Sequence, residues 1–87
     1  MRTDQEIIAL FFARDEEAIA AASERYGGYC YAVSYRIVQT REDAEECVSE
    51  TWLKSWNAIP PERPRALRNF LGCIARNTAL TRWAAMH

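Results

Sequence analysis

The 87-residue sequence predicts an all-α fold, a compact bundle of three long helices plus a short N-terminal helix. Three observations carry this. Apolar residues recur at steps of three and four along most of the chain. No stretch alternates apolar and polar residues as a half-buried strand would. Only three glycines and three prolines occur, so long regular elements are rarely interrupted. Hydrophobic residues at 49% and charged residues at 26% are the composition of a folded chain, not a disordered one. The length fits a single domain over 1–87. A core this small needs close helix packing or a partner.

Each element follows from its own signals. Thr3 and Glu6 have capping-box spacing and open a short helix whose apolar stripe is Ile7, Ile8, Phe11 and Phe12. Asp15 is placed to cap the second helix. Its stripe runs Ile19, Ala22, Tyr26, Tyr29, Cys30, Val33 and Ile37. Gly27-Gly28 interrupts it, at about 1 kcal/mol per glycine in a helix interior. The stripe keeps phase across the pair, which favours one continuous helix. Thr40 and Asp43 open the third helix. It ends at Pro60-Pro61, because proline disfavours helix in the residue before it. The segment PPERPR, 60–65, is a stiff loop, and a fourth helix starts near Arg65 or Ala66 with Leu67, Phe70, Leu71, Ile74 and Thr78 inward.

Charge is divided along the chain. Residues 1–40 carry net −2, residues 41–59 net −3 and residues 60–87 net +4. Such asymmetry suggests two partners at two ends. The single histidine is the last residue, which removes histidine-based acid–base chemistry and most zinc sites. No glycine-rich phosphate loop is present, and no apolar stripe holds the inward carboxylates that a metal needs. The expectation is no enzyme, no cofactor and no metal. Cys30, Cys47 and Cys73 are odd in number and lack paired spacing, so they read as small core residues in a reducing compartment. No apolar run reaches the roughly 18 residues of a membrane span, and the N-terminus is charged, not a leader. A cytoplasmic location without membrane contact is expected.

On a helical wheel, Ala44, Cys47, Val48, Thr51, Trp52, Ser55 and Ile59 share the inner side of the third helix. Glu42, Glu46, Ser49, Glu50 and Asn57 face outward. Leu53 lies within that acidic face and Trp56 on its flank. A solvated face with a stray leucine and a docking surface with an apolar centre and charged rim are both compatible with this pattern. On the fourth helix Asn69, Arg76 and Leu80 point outward, with Asn77 at the edge of the core stripe. Arg65 shares the outward side, and Arg68 and Arg82 take the opposite flank. Arginine can contact phosphate and asparagine a base edge, although the arginines alone favour a soluble helix whose arginines balance the acidic one.

Two runs sharpen this. Residues 41–56, REDAEECVSETWLKSW, resemble the polymerase-binding helix of bacterial sigma factors, with the extracytoplasmic-function (ECF) type most similar. Residues 67–77, LRNFLGCIARN, are similar to the promoter-reading helix of that family, and Arg25-Tyr26 fits its second helix. The resemblance spans nearly the whole chain and implies region 2 of a sigma factor, without enzymatic activity. It implies that Glu46, Ser49, Glu50, Leu53 and Trp56 grip the clamp coiled coil on the largest subunit of the RNA polymerase core. Arg76, Asn77, Leu80 and Thr81 match the helix that reads the minus-ten promoter element, chiefly on the non-template strand. The loop Pro60–Ala66 matches the segment that captures a base flipped from the non-template strand, and Arg63, Arg65 and Arg68 are further expected DNA-binding residues. An anti-sigma factor is a further implied partner.

Several positions depart from the family pattern. Ser49 replaces a usual glutamine, Phe70 a tryptophan, and Thr81 stands where an acidic or amide residue is frequent. Pro60 and Pro61 stiffen the loop. The family continues into a helix-turn-helix domain that reads the minus-thirty-five element, and nothing in these 87 residues corresponds to it. Two rivals differ in kind: a helical adaptor that binds only protein, and a duplex-reading helix-turn-helix protein. The second fits poorly, because its turn usually spans about three to four residues and the proline loop is longer.

Overall fold

The computed structural model describes all 87 residues and contains four helices. They are α1 (Asp4–Phe12), α2 (Glu17–Val38), α3 (Arg41–Ala58) and α4 (Leu67–Met86). The expected three long helices and one short one are all present. The caps explain where they start. Thr3 Oγ1 accepts from the Glu6 N–H at 3.2 Å while the Thr3 N–H donates to Glu6 Oε1 at 2.8 Å, a complete capping box. Thr40 Oγ1 accepts from the Asp43 N–H at 3.3 Å and opens α3. Asp15 acts one position earlier than a standard cap: its Oδ1 accepts from the Glu17 N–H at 2.9 Å, while Glu16 occupies the cap without a side-chain bond. Helix α2 ends where Gln39 turns left-handed, at φ 64°.

Helix α2 runs unbroken through Gly27-Gly28, as the phase of its stripe requires. It packs on both long partners and most extensively on α4. The buried sides of α2 and α4 carry many small residues. Ala18, Ala22, Cys30 and Ser34 are fully buried on α2, as are Ala75 and Ala79 on α4. Gly72 leaves room for the Tyr29 ring; a Cβ there would sit 2.6 Å from Tyr29 Oη. Small residues let helix axes approach closely. Of the predicted stripe, Ala22, Tyr26 and Cys30 are buried. Ile19, Tyr29, Val33 and Ile37 are only half-buried.

Phe11, Ile7, Ile59, Leu67 and Leu71 are the largest fully buried side chains and form the centre of the core. A second small cluster, Val38, Ala44, Cys47 and Ala79, joins the far ends of α2 and α4 to the start of α3. Polar residues on the inner side of α3 are satisfied locally. Thr51 Oγ1 donates to the Cys47 carbonyl at 2.8 Å and Ser55 Oγ to the Thr51 carbonyl at 2.7 Å. Thr78 accepts from Lys54 Nζ at 2.8 Å. Tyr26 Oη donates to Asp4 Oδ1 at 2.6 Å, and Arg25 lies 3.2 Å from the same oxygen, so that α1 is stapled to α2.

The cysteines divide. Cys30 and Cys47 are buried, and burial pushes the Cys30 thiol up to about 11. Cys73, read as a core residue, is exposed instead. It lies opposite the Leu71–Ala75 line of α4, on the solvent side of that helix.

Candidate nucleic-acid and protein-docking site

Two surfaces hold the residues singled out in the sequence. The first is the outer face of α3. Glu46, Ser49, Glu50 and Leu53 lie together there and, with Glu45, line a shallow depression of about 310 Å³. Leu53 is 58% exposed, the highest value for any large apolar residue after Met1. On its other side a second depression, about 220 Å³, is lined by Leu53, Trp56, Ile19 and Glu16. The leucine is thus a ridge between two hollows, one acidic and one largely apolar.

Trp56 is held less freely. Its ring centroid lies 6.3 Å from that of Phe11, and the Arg14 guanidinium stacks over it at 3.8 Å. One face of the indole therefore belongs to the fold, and its remaining edge lines the hollow beside Leu53. Ile19, read as a core residue, is half-buried and lines that hollow.

The carboxylates of this face are already partly paired. Glu50 lies 3.6 Å from Lys54 and Glu46 lies 3.5 Å from Arg82 of α4. Arg82 also bonds Asp43 through Nε at 2.9 Å. The hydrogen bond from Thr40 and the Arg82 guanidinium together hold the Asp43 carboxyl below its ordinary range. Arg82 balances charge on the acidic helix. It leans over the inner edge of the helix toward α3 and links the acidic and basic elements, so one of the five arginines after residue 60 is spent inside the fold.

The second surface is the loop and the outer side of α4. Arg63, Arg65, Arg68 and Arg76 are exposed, and none forms a salt bridge; the six ion pairs of the molecule involve other cations. Two of these arginines rest on aromatic rings, Arg68 over Tyr29 at 4.0 Å and Arg63 over Phe12 at 4.2 Å. Such stacking orients a guanidinium without neutralising it. Arg63 and Arg65 also line an open depression of about 410 Å³ with Gln5, Ile8 and Pro64. Gln5 and Ile8 come from α1, and nothing in the sequence pattern linked them to the loop.

Asn77 and Leu80 share the solvent face of α4 with Asn69, Cys73 and Arg76, and Thr81 lies exposed at its side. Leu80 is 39% exposed and Trp83 43%. Trp83 was not singled out by periodicity; it stacks on His87 with centroids 4.5 Å apart. No group of three or more histidine, cysteine or acidic side chains converges as a metal site would. No helix is long and apolar enough to cross a membrane.

The sequence model of the family described as Sigma-70 region 2 matches residues 23–85, which is most of the chain. No curated protein and no solved structure matches it.

Proposed function

The chain belongs to the sigma-70 region 2 family, and we propose that it is a region of the ECF type that divides its work between the two surfaces. The family serves RNA polymerase binding and promoter recognition and is a transcription-factor family, not an enzyme class. The observation that carries the finer reading is the segregation of unused groups. An exposed leucine stands among carboxylates on α3, and four arginines without carboxylate partners stand on the loop and α4.

On the α3 side, Glu46, Ser49, Glu50, Leu53 and the free edge of Trp56 suit a basic helical partner, the clamp coiled coil of the polymerase core. Leu53 would be the buried centre and the carboxylates the rim that speeds approach. On the other side, Arg63, Arg65, Arg68 and Arg76 suit phosphates. Asn77 presents paired donor and acceptor groups to a base edge, flanked by Leu80 and Thr81. The depression between α1 and the loop suits an extruded base of the minus-ten non-template strand, where stacking lost in the duplex is exchanged for pocket contacts. This pairing of surfaces helps open the duplex by stabilising the separated strand. An anti-sigma factor would compete for one of the same faces. The setting is cytoplasmic, with the polymerase, and residues 1–87 act as one region 2 unit.

Salt-dependent binding of a single-stranded minus-ten oligonucleotide tests the DNA half. Four phosphate contacts give a slope of log K against log salt of about −3 for a single strand. Replacing Arg63 and Arg76 by glutamine should lower it to roughly half, and Asn77→Ala should flatten the preference among oligonucleotide sequences. A parent chain with no sequence preference and no salt slope would leave a protein-binding adaptor as the better reading.

A further inference from the structure

Arg14 occupies the turn between α1 and α2 at φ 55°, in the left-handed region that favours glycine. An arginine there is strained, and its side chain shows what the strain accompanies. A single terminal nitrogen, Nη1, donates to the Trp56 carbonyl at 2.8 Å and to the Ile59 carbonyl at 2.9 Å. The guanidinium carbon lies over the Trp56 ring, 3.8 Å from its centroid.

Those two carbonyls mark the end of α3 and the start of the proline loop. The last turn of α3 contains no basic residue of its own. Its terminal carbonyls carry the negative end of the helix dipole and lack helical donors. Arg14 supplies both the charge and the donors from 42 and 45 positions earlier in the chain. Two residues before it, Phe12 lies under the Arg63 guanidinium at 4.2 Å. The corner formed by residues 12–14 therefore touches Trp56, the backbone at the start of the loop and an arginine of the loop. It lies outside the segment matched to the family, which begins at residue 23.

We infer that Arg14 is a positioning residue. It fixes the end of α3, and with it the exposed edge of Trp56 and the exit of the 60–66 loop, for both polymerase and promoter strand. This rests on the proposed docking and DNA roles of those surfaces.

Two substitutions in the full chain test it. Arg14→Gly relieves the backbone strain and removes the clamp. Arg14→Lys keeps a cation that can reach a carbonyl but cannot lie flat on the indole. Helicity and thermal midpoint are measured beside affinity for RNA polymerase core and for a single-stranded minus-ten oligonucleotide. The expected result is an Arg14→Gly chain that stays folded, with both affinities weakened roughly ten-fold, and an Arg14→Lys chain that recovers a clear part of the loss. Arg14→Gly binding both partners within about two-fold of the parent would overturn the inference and leave the docking reading standing. Loss of helicity in Arg14→Gly, with Arg14→Lys unchanged from the parent, would mark a purely structural residue and also overturn it. A parent chain that binds neither partner would remove the docking reading and this inference with it.

Discussion

Two glycines in helix interiors should respond to alanine in opposite directions. Gly28 lies on the exposed side of α2, and a Cβ added there meets no atom within 4 Å. Alanine gains only helix propensity, about 1 kcal/mol. In a domain of this size that is a rise of about 4–8 °C in thermal midpoint. Gly72 lies on the seam of α2 and α4, where the same Cβ would sit 2.6 Å from Tyr29 Oη and 2.8 Å from Tyr29 Cε2. The propensity gain is the same, but overpacking costs about 1–3 kcal/mol. Displacing Tyr29 also loosens the Arg68 guanidinium stacked on it, worth about 0.5–1 kcal/mol. Gly72→Ala should therefore be destabilised by about 0.5–3 kcal/mol, on the order of 1.5–4 kcal/mol below Gly28→Ala. Gly27→Ala, with its Cβ 3.3 Å from Ser23 Oγ, should fall between them. Urea unfolding of the three variants gives the free energies, and unchanged slopes would show that the compared states are the same. Gly72→Ala as stable as Gly28→Ala would refute the close α2–α4 seam.

Other consequences are equally specific. Ser34 Oγ is buried without a hydrogen-bond partner, so Ser34→Ala should leave stability unchanged or raise it by up to about 1 kcal/mol; a loss larger than that in urea unfolding would mean that the hydroxyl is bonded. Gln39 sits at φ 64°, so Gln39→Gly should raise the thermal midpoint by relieving the left-handed strain, and a fall would contradict the turn at the end of α2. Asp43 has its carboxyl lowered by the Thr40 hydrogen bond and by Arg82. Its stabilising effect is therefore complete above the unfolded carboxylate range and is lost as pH falls through the lower folded value. Thermal midpoints of the parent between about pH 5 and pH 2 should fall more steeply than those of Arg82→Gln, and equal slopes would show that the pair is not formed.

What could be read from the sequence follows from how local each feature is. Thr3–Glu6 and Thr40–Asp43 are short-range signals, and both caps stand where their spacing puts them. The exposed Leu53 follows from angular position on one helix. Continuity through Gly27-Gly28 follows from phase. Features made by distant residues were not legible. Arg14 reaches the end of α3 only because the α1–α2 turn folds back on it, and its positive φ has no counterpart in residue pattern. That the fourth-helix arginines could balance the acidic helix follows from charge, but which of them does so, Arg82 with Asp43 and Glu46, depends on how two helices pack. Cys73 was misplaced through its residue type, when its angle on α4 already set it opposite the core.

The division of labour between α3 and the α4 surface is tested most directly by the affinity of the chain for RNA polymerase core when Leu53 is replaced by aspartate. Leu53 is 58% exposed in the free chain. Burial of a whole leucine is worth about 1.5–3 kcal/mol, so its exposed part carries about 1–2 kcal/mol. An aspartate adds a carboxylate beside Glu46 and Glu50 that must be desolvated on docking. The expected result is a fall in affinity of roughly thirty-fold or more, with helicity, thermal midpoint and binding of a minus-ten oligonucleotide unchanged, and with Asn77→Ala binding polymerase as the parent does. Equal polymerase affinity for Leu53→Asp and the parent would contradict the account.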